Sequence, residues 1–250
     1  MSYLFRDRRD AGARLATRLD HYAGKPGVIV LGLPRGGVPV AAQVARALGA
    51  PLDVFTVRKL GLPGNEELAI GAIATGGVCV LNEEYIEHFQ VTAAELDVIR
   101  GSEERELARR ERLFRGERPP IDARGSTVII VDDGLATGAT MQAAVKALRA
   151  QQPHHIVVAV PVASEEALRD LSVVADECVC LLTPTFFGGV GRWYRDFSQT
   201  TDQEVRELLD SAMEHLPENL HESVMHARHA EPPRSGVTLH SGGPADARPA

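Results

Sequence analysis

The sequence has few cysteines, no excess of basic residues and no long hydrophobic run. Only three of the 250 residues are cysteine, and 34 Asp and Glu outnumber 27 Lys and Arg, which gives a formal net charge of −7. This balance argues against nonspecific nucleic-acid binding, which needs a basic surface. No apolar run approaches the roughly 20 residues that span a bilayer, and the start, MSYLFRDRRD, lacks the apolar core of a secretion signal. We therefore expect a cytoplasmic protein that binds neither nucleic acid nor membranes.

The scarcity of cysteine favours a reducing compartment over a disulfide-linked fold. Cys178 and Cys180 alternate along an apparent strand, ECVCLL, on which we expect their side chains to face opposite sides. We interpret all three cysteines, Cys79 included, as packing residues, and a metal site is the alternative.

The composition of the last 34 residues differs from that of the rest of the chain. Residues 217–250 hold five prolines and three glycines and few large apolar side chains, so they cannot bury enough surface to offset the entropy of ordering. We expect one folded domain over residues 1–216 and a disordered tail over 217–250. The tail contains four histidines whose spacing matches no recognised metal set: His221, His226, His229 and His240.

The most informative stretch is VIIVDDGLATGAT, residues 128–140. Four apolar, mostly β-branched residues predict a short buried strand. Two carboxylates, Asp132 and Asp133, end it, and a turn of small residues leads into a helix from Met141. The N–H groups of such a turn converge on an anion, and the helix dipole adds partial positive charge. Because paired carboxylates accept hydrogen bonds from hydroxyls, this order predicts a sugar-phosphate site. An ordinary strand-turn-helix junction is the alternative.

Two other phosphate-binding motifs do not fit this stretch. The Walker loop needs a lysine beside its last hydroxyl residue, and none occurs between Val128 and Met141. The dinucleotide fingerprint has its acidic residue about 20 positions after the turn, not before it.

The pattern of strands and helices predicts an α/β fold. A strand at 28–33 is followed by a helix at 38–48 and a strand at 53–58. Later strands at 127–131, 156–161 and 177–182 alternate with helices at 141–150 and 165–172. Such alternation implies a parallel sheet with right-handed crossovers and ligands at the carboxyl ends of the strands. Residues 70–74 and 78–81 predict a hairpin. A capping box of Thr92 and Glu95 begins a long charged helix to about residue 113, interpreted as a solvated face or a dimer contact.

Three further segments carry candidate site residues. LPRGG (33–37) follows the first strand, where exposed N–H groups and Arg35 can hold a second anion. VRKLGLPGNEE (57–67) places the cations Arg58 and Lys59 before a glycine-rich stretch, 60–67, that we expect to be a mobile lid. FFGGVGRWYRDF (186–197) concentrates five of the chain's twelve aromatics, which suits a flat heterocycle or the core of a small subdomain.

The 128–140 stretch resembles the 5-phosphoribosyl-1-pyrophosphate (PRPP) signature of type I phosphoribosyltransferases. LPRGG is similar to that family's pyrophosphate turn, and residues 58–64 resemble the adenine enzymes' loop, one residue shorter. The aromatic segment faintly resembles the hood of the hypoxanthine-guanine enzymes. The resemblance implies an α/β fold with a parallel-sheet core, helices on both faces, a small hood subdomain (mainly 183–200) and a long inserted helix (about 92–113). It also implies transfer of ribose 5-phosphate from PRPP to a nitrogenous base or amine, as in nucleotide salvage.

The resemblance also implies roles for single residues. Asp132 and Asp133 hold the ribose hydroxyls, Arg58 and Lys59 stabilise departing pyrophosphate, and one Mg²⁺ is held mainly by PRPP near the two aspartates. Dimers are common in the family, so a homodimer is one expected assembly. The PRPP-binding residues are Gly134, Leu135, Ala136, Thr137, Gly138, Ala139, Thr140, Arg35, Gly36 and Gly37. The candidates for base binding are Phe186, Trp193, Tyr194 and Asp196.

One position departs from part of the family. Hypoxanthine-guanine enzymes carry an aspartate directly before the Thr-Gly of the turn, whereas this chain has Ala136, as the adenine enzymes do. A 6-oxopurine is therefore less expected than an adenine-type base or a nonpurine amine, and Glu66 or Glu67 is a candidate acid or base. Two rival functions remain open. One is a catalytically silent sensor of PRPP or a nucleotide, and the other is a hydrolase or phosphatase, for which no nucleophile and base pair is evident.

Overall fold

The computed structural model describes residues 4–216. Its strands, in chain order, are β1 (Val28–Gly32), β2 (Leu52–Val54), β3 (Val57–Leu62), β4 (Asn65–Ala74), β5 (Val78–Leu81), β6 (Thr127–Val131), β7 (His155–Val162) and β8 (Glu177–Leu182). Its α-helices are α1 (Arg8–Ala16), α2 (Gly37–Leu48), α3 (Glu83–His88), α4 (Ala93–Arg115), α5 (Ala139–Ala150), α6 (Glu165–Leu171) and α7 (Asp202–Glu214).

Five strands form a parallel sheet in the order β2-β1-β6-β7-β8. The chain moves from β1 outward to β2 through α2, and later from β6 outward to β8 through α5 and α6. The direction of winding therefore reverses between β1 and β6, which pair directly from Val28–Thr127 to Gly32–Val131. This is the α/β architecture that the alternation of elements predicts.

Helices cover both faces of the parallel sheet, since successive strand residues point to opposite sides. Val30, Ile129 and Val131 pack with α1, α2 and α7 in one core, whereas Ile29 and Ile130 pack with α5 and α6 in the other. Both sets of strand side chains are almost fully buried. The central strands therefore read as continuous apolar runs, as expected for a sheet covered on both faces.

A second sheet of three antiparallel strands, β3-β4-β5, lies against the long helix α4. Leu60, Leu62 and Ile70 form a small core with Leu107 of α4. The predicted capping box is confirmed, because the Thr92 side chain accepts from the Glu95 N–H and the Glu95 side chain accepts from the Thr92 N–H. The predicted pairing of 70–74 with 78–81 is also confirmed, as the antiparallel pair β4–β5.

Three sequence-based expectations are wrong. Residues 53–58 are not one strand, because β2 belongs to the parallel sheet and β3 to the antiparallel one. Residues 60–67 are not an open loop but the turn and flanks of the β3–β4 hairpin. Cys178 and Cys180 do not face opposite sides, since residues two apart on a strand share a face and both pack against the core that contains α5.

A buried ion pair joins the long helix to the parallel sheet. The Arg115 Nε atom lies 2.7 Å from Oδ1 of Asp53 on β2, and the two side chains are 3% and 2% exposed. Asp53 also accepts a hydrogen bond from the Ile121 N–H at 3.0 Å. Burying an unpaired charge is costly, so this pairing fixes where α4 ends.

Two expectations concern the limits of the domain. Within residues 4–216, none of the helices combines the length and hydropathy that crossing a bilayer requires. The predicted disordered tail, 217–250, and its four histidines lie outside the described residues.

Candidate active site

The fold brings two loops together at the carboxyl edge of the parallel sheet. In sheets of this kind, ligands bind in the crevice where the direction of winding reverses. Here that point lies between β1 and β6, and the loops that follow these strands are residues 33–37 and 132–138. The Leu33 N–H donates to the Val131 carbonyl at 2.9 Å, which extends the pairing of the two strands into the loops. The two turns that the sequence indicates as anion sites therefore lie side by side.

The turn after β6 presents its backbone at the start of α5. Leu135 is buried and forms an isolated parallel bridge with Ala163, so it anchors the turn to the end of β7. Gly138 has a φ of 71°, a conformation that glycine adopts without steric cost. The rest of the turn is open to solvent at Ala136, Thr137, Ala139 and Thr140. An exposed turn at the N-terminus of a 12-residue helix is the arrangement that binds a phosphate.

The acidic pair, Asp132 and Asp133, comes directly before this turn in the chain. The Asp133 N–H donates to Oδ1 of Asp132 at 2.8 Å, and both residues are only partly exposed. Burial raises the pKa of Asp132 well above the ordinary carboxyl range, and the adjacent Asp133 carboxylate adds to the rise. Burial also raises the pKa of Asp133, against which Arg8 acts in the opposite direction. Burial therefore makes the charged forms of both carboxyl groups unfavourable. Hydrogen-bond donors or a bound cation would stabilise those charged forms.

Arg8 is a site residue that the sequence reasoning missed. Its Nε atom donates to Oδ2 of Asp133 at 2.7 Å, and its Nη1 atom donates to the Ser198 carbonyl at 2.7 Å. The guanidinium also lies 4.0 Å from the ring centre of Phe197. A basic residue in the first turn of a helix opposes the helix dipole. Arg9 shares this unfavourable position and is exposed, so the position in the helix alone does not identify Arg8 as the residue with the acidic partner.

The turn after β1 approaches the acidic pair without intervening side chains. A Cβ atom at Gly37 would lie 2.6 Å from the Val131 carbonyl oxygen, and one at Gly36 would overlap the Asp133 carboxylate. The Pro34–Arg35 peptide bond is cis. Arg35 is partly exposed, and its Nη1 atom lies 3.6 Å from Oδ1 of Asp202, the first residue of α7. Only glycine permits this close packing of the two turns.

Arg58 and Lys59 point to opposite sides of β3, as neighbouring residues of a strand do. Arg58 faces α4, where its Nε atom lies 2.6 Å from Oε2 of Glu103. Lys59 is exposed on the opposite side, which it shares with Val57. Val57 packs against the core that contains α5, the helix that begins at the phosphate turn. The structure therefore leaves Lys59 more available to an anion than Arg58.

The four candidates for base binding lie in different environments. Tyr194 is 1% exposed between Phe5 and Phe197, with ring centres 5.3 and 5.0 Å away, and its hydroxyl donates to the Asp133 carbonyl at 2.6 Å. Because both faces of the ring are covered, Tyr194 cannot stack on a base. It supports the site through its hydrogen bond to the Asp133 carbonyl. Trp193 is partly exposed and donates through Nε1 to the Phe187 carbonyl, whereas Phe186 is 90% exposed. Asp196 is exposed and lines a polar depression with Arg8 and Arg9.

The donor set around the acidic pair suits a metal ion that brings most of its own ligands. Among residues 4–216, no three His, Cys, Asp or Glu side chains come together as a metal cage. Two adjacent, partly buried carboxylates remain, one of which is already paired with an arginine. Mg²⁺ binds through one or two carboxylates, waters and substrate phosphates, so these residues fit such an ion.

Comparisons with known proteins agree with this geometry. Residues 6–195 match the family model described as phosphoribosyl transferase domain. The chain is 49% identical over 209 residues to a putative phosphoribosyl transferase of Mycobacterium tuberculosis, which covers 84% of this chain and 47% of the relative. It thus spans about half the length of the curated relatives it matches first. A 112-residue segment is 33% identical to the bifunctional protein PyrR of Brevibacillus brevis, which covers 43% of this chain and 61% of that protein.

A solved structure shows the same fold. The protein TT1426 from Thermus thermophilus superposes with a TM-score of 0.75 at 45% sequence identity, over 82% of this chain and 97% of that one. The family model covers about three quarters of the present chain, including both turns and the acidic pair. The chain therefore belongs to the phosphoribosyl transferase domain family.

Proposed function

We propose that the protein transfers ribose 5-phosphate from PRPP to a nitrogenous base or amine and releases pyrophosphate. The observation that carries the proposal is the packing of an exposed, amide-rich turn, an acidic pair and a glycine turn at the switch point of the sheet. Membership of the family supports the same chemistry.

In the proposed complex each part of the site binds a different part of PRPP. The turn 134–140 and the N-terminus of α5 hold the 5-phosphate, to which they offer N–H groups and a favourable dipole. Asp132 and Asp133 accept hydrogen bonds from the ribose hydroxyls, which also relieves the repulsion between the two carboxylates. The turn 33–37 holds pyrophosphate through the N–H groups of Arg35 and Gly36, with the side chains of Arg35 and Lys59 as the proposed cations.

The bond changes follow from this arrangement. A nitrogen lone pair of the acceptor forms a bond to C1 of the ribose, the C1–oxygen bond breaks, and pyrophosphate leaves with the electron pair. The acceptor nitrogen then loses its proton to solvent or to a carboxylate. Arg35 and Lys59 stabilise the charge that develops on pyrophosphate, and the acidic pair stabilises positive charge at C1. Because Ala136 supplies no carboxylate beside the acceptor, the acceptor is one whose nitrogen needs no strong base at that position.

Asp132 and Asp133 are the residues that would contact Mg²⁺ bound with PRPP. When present, the ion would supply neutralisation of the leaving group. The protein's own contribution is to hold PRPP in one orientation and to surround its phosphates with fixed N–H donors, which lowers the cost of reaching the transition state.

Calorimetric titration with PRPP and Mg²⁺ tests the proposal. We expect binding by the wild type, weaker binding in EDTA, and at least about tenfold weaker binding by Asp132→Asn/Asp133→Asn, since each lost hydrogen bond to a charged group costs about 1.5–3 kcal/mol. Asp97→Asn is the matched control, because Asp97 is an exposed carboxylate of α4 that pairs with the exposed Arg100. Equal affinity in the wild type and the double variant would contradict the proposed site.

A second measurement separates transfer from binding alone. Release of pyrophosphate is followed while a panel of purine and pyrimidine bases and simple amines is offered with PRPP. Transfer predicts release that depends on one class of acceptor. Tight PRPP binding with no release for any acceptor would contradict the transferase function and favour a sensor.

A further inference from the structure

Arg8 connects the acidic pair to the hood segment, mainly residues 183–200. Its side chain is only 12% exposed, and its three contacts reach Asp133, Ser198 and Phe197. These partners lie 125 and about 190 residues away in the chain, so the contacts are part of the tertiary fold and not of local helix geometry. A partly buried guanidinium with two short charge-assisted or carbonyl hydrogen bonds is held in one orientation.

The backbone that carries Arg8 is itself fixed. The Phe5 N–H donates to the Trp193 carbonyl at 3.0 Å, and the Arg195 N–H donates to the Phe5 carbonyl at 2.8 Å, so the start of the chain is bonded to the hood segment. Gly12 lets α1 approach α2 so closely that a Cβ atom there would lie 2.6 Å from the Val40 carbonyl oxygen. Arg8 therefore reaches the acidic pair from a rigid support.

The hydrogen bond from Arg8 fixes the orientation of the Asp133 carboxylate. Arg8 takes Oδ2 of the carboxylate, and Gly36 packs against the same atom, so the group cannot rotate freely. In the proposed complex Oδ1, the other oxygen of this carboxylate, would accept the hydrogen bond from the ribose. Without Arg8, the repulsion between the two adjacent and partly buried carboxylates would be less compensated, and the Asp133 side chain would lose the contact that fixes its rotamer.

We propose that Arg8 is a positioning residue for PRPP: it fixes the Asp133 carboxylate toward the ribose hydroxyls and couples this orientation to the hood segment through Ser198 and Phe197. The inference rests on the proposed function, because it assumes that Asp133 binds the ribose. Arg8 acts through Asp133 and needs no contact with the substrate.

A double-mutant cycle distinguishes positioning from a general structural role. The dissociation constant for PRPP with Mg²⁺ is measured by calorimetry for wild type, Arg8→Gln, Asp133→Asn and the double variant. We expect Arg8→Gln to weaken binding about tenfold, the loss of one charge-assisted contact. In the Asp133→Asn background the same substitution should change affinity less than about twofold, because coupled residues are not additive. Arg18→Gln, an exposed arginine just after the same helix, should leave affinity unchanged.

A conservative variant, Arg8→Lys, controls for loss of binding through misfolding. Arg8→Lys keeps the charge but loses the planar guanidinium that both donates to Ser198 and lies over Phe197, so we expect an affinity between those of wild type and Arg8→Gln. Unchanged affinity in Arg8→Gln, or an equal loss in both backgrounds of the cycle, overturns the positioning role while leaving PRPP binding intact. A wild-type chain that does not bind PRPP overturns the proposed function and this inference together.

Discussion

Gly36 shows how a single missing side chain can shape the site. Its backbone is in the ordinary right-handed helical region, so glycine is not needed there for its dihedral angles. It is needed for space, since a Cβ atom would overlap the Asp133 carboxylate and lie 3.2 Å from the Arg8 Nε atom. That carboxylate cannot simply move aside, because Arg8 holds it.

We therefore predict that Gly36→Ala displaces Asp133 from Arg8 and weakens PRPP binding at least about tenfold, with a loss of about 1–3 kcal/mol in the free energy of unfolding from overpacking. Calorimetry and urea unfolding provide the two measurements. Gly101→Ala is the control: it lies in α4 with only the end of the flexible Arg105 side chain nearby, so it should gain up to about 1 kcal/mol of stability with no change in affinity. A Gly36→Ala protein that binds PRPP normally would show that the two turns can separate.

The residues of the site differ in how well the sequence predicts their positions. The acidic pair and the turn 134–140 are contiguous, so residue order alone predicts that they lie together. Arg8 contacts Asp133 across 125 residues, and its place at a helix N-terminus, which it shares with Arg9, does not reveal that partner. The aromatic character of Tyr194 suggested base stacking, but its burial depends on Phe5, which no local pattern connects to it.

At the scale of elements, the β3–β4 hairpin decides what the two adjacent cations can do. The sequence GLPGNEE predicts a loop because glycine and proline are concentrated there. In the structure Pro63 and Gly64 form only the turn, while Leu60 and Leu62 extend β3 against α4. The local sequence does not indicate this strand, because Leu107, which packs against it, lies far along the chain. Once the segment is a strand, Arg58 and Lys59 must face opposite sides.

We predict that Lys59→Gln weakens PRPP binding and pyrophosphate inhibition about tenfold with little effect on stability. Arg58→Gln should instead lower the free energy of unfolding by about 1 kcal/mol or less, the range for a partly exposed ion pair, and leave affinity nearly unchanged. Glu103→Gln, which removes the other half of that pair, should reproduce the stability change of Arg58→Gln. Affinity that falls more in Arg58→Gln than in Lys59→Gln would mean that Arg58 leaves Glu103 when the ligand binds.

At the scale of the whole molecule, polar contacts join the end of α4 to the parallel sheet and to α7. Arg115 pairs with Asp53 of β2 at 2.7 Å and with Glu111 at 3.1 Å, and it also donates to the Val54 carbonyl. Arg118, just after α4, lies 2.6 Å from Asp210 of α7. The capping box predicted the long helix and the alternation of elements predicted the parallel sheet, although the sequence did not separate β2 from β3. It could not predict this attachment, because a buried Arg–Asp pair 62 residues apart leaves no periodic signal.

Breaking the Arg115–Asp53 pair should therefore loosen the attachment of α4 and destabilise the whole domain. We predict that Arg115→Met lowers the free energy of unfolding by about 3–5 kcal/mol, because it removes the positive charge that compensates the buried Asp53 carboxylate. Arg110→Met is the control: Arg110 pairs with Glu106 at 2.8 Å but is 41% exposed, so its loss should cost about 0.5 kcal/mol or less. Urea unfolding of both variants measures the difference. Similar small losses in the two variants would mean that apolar packing around Leu107 and Phe114, and not the buried ion pair, holds α4 to the rest of the molecule.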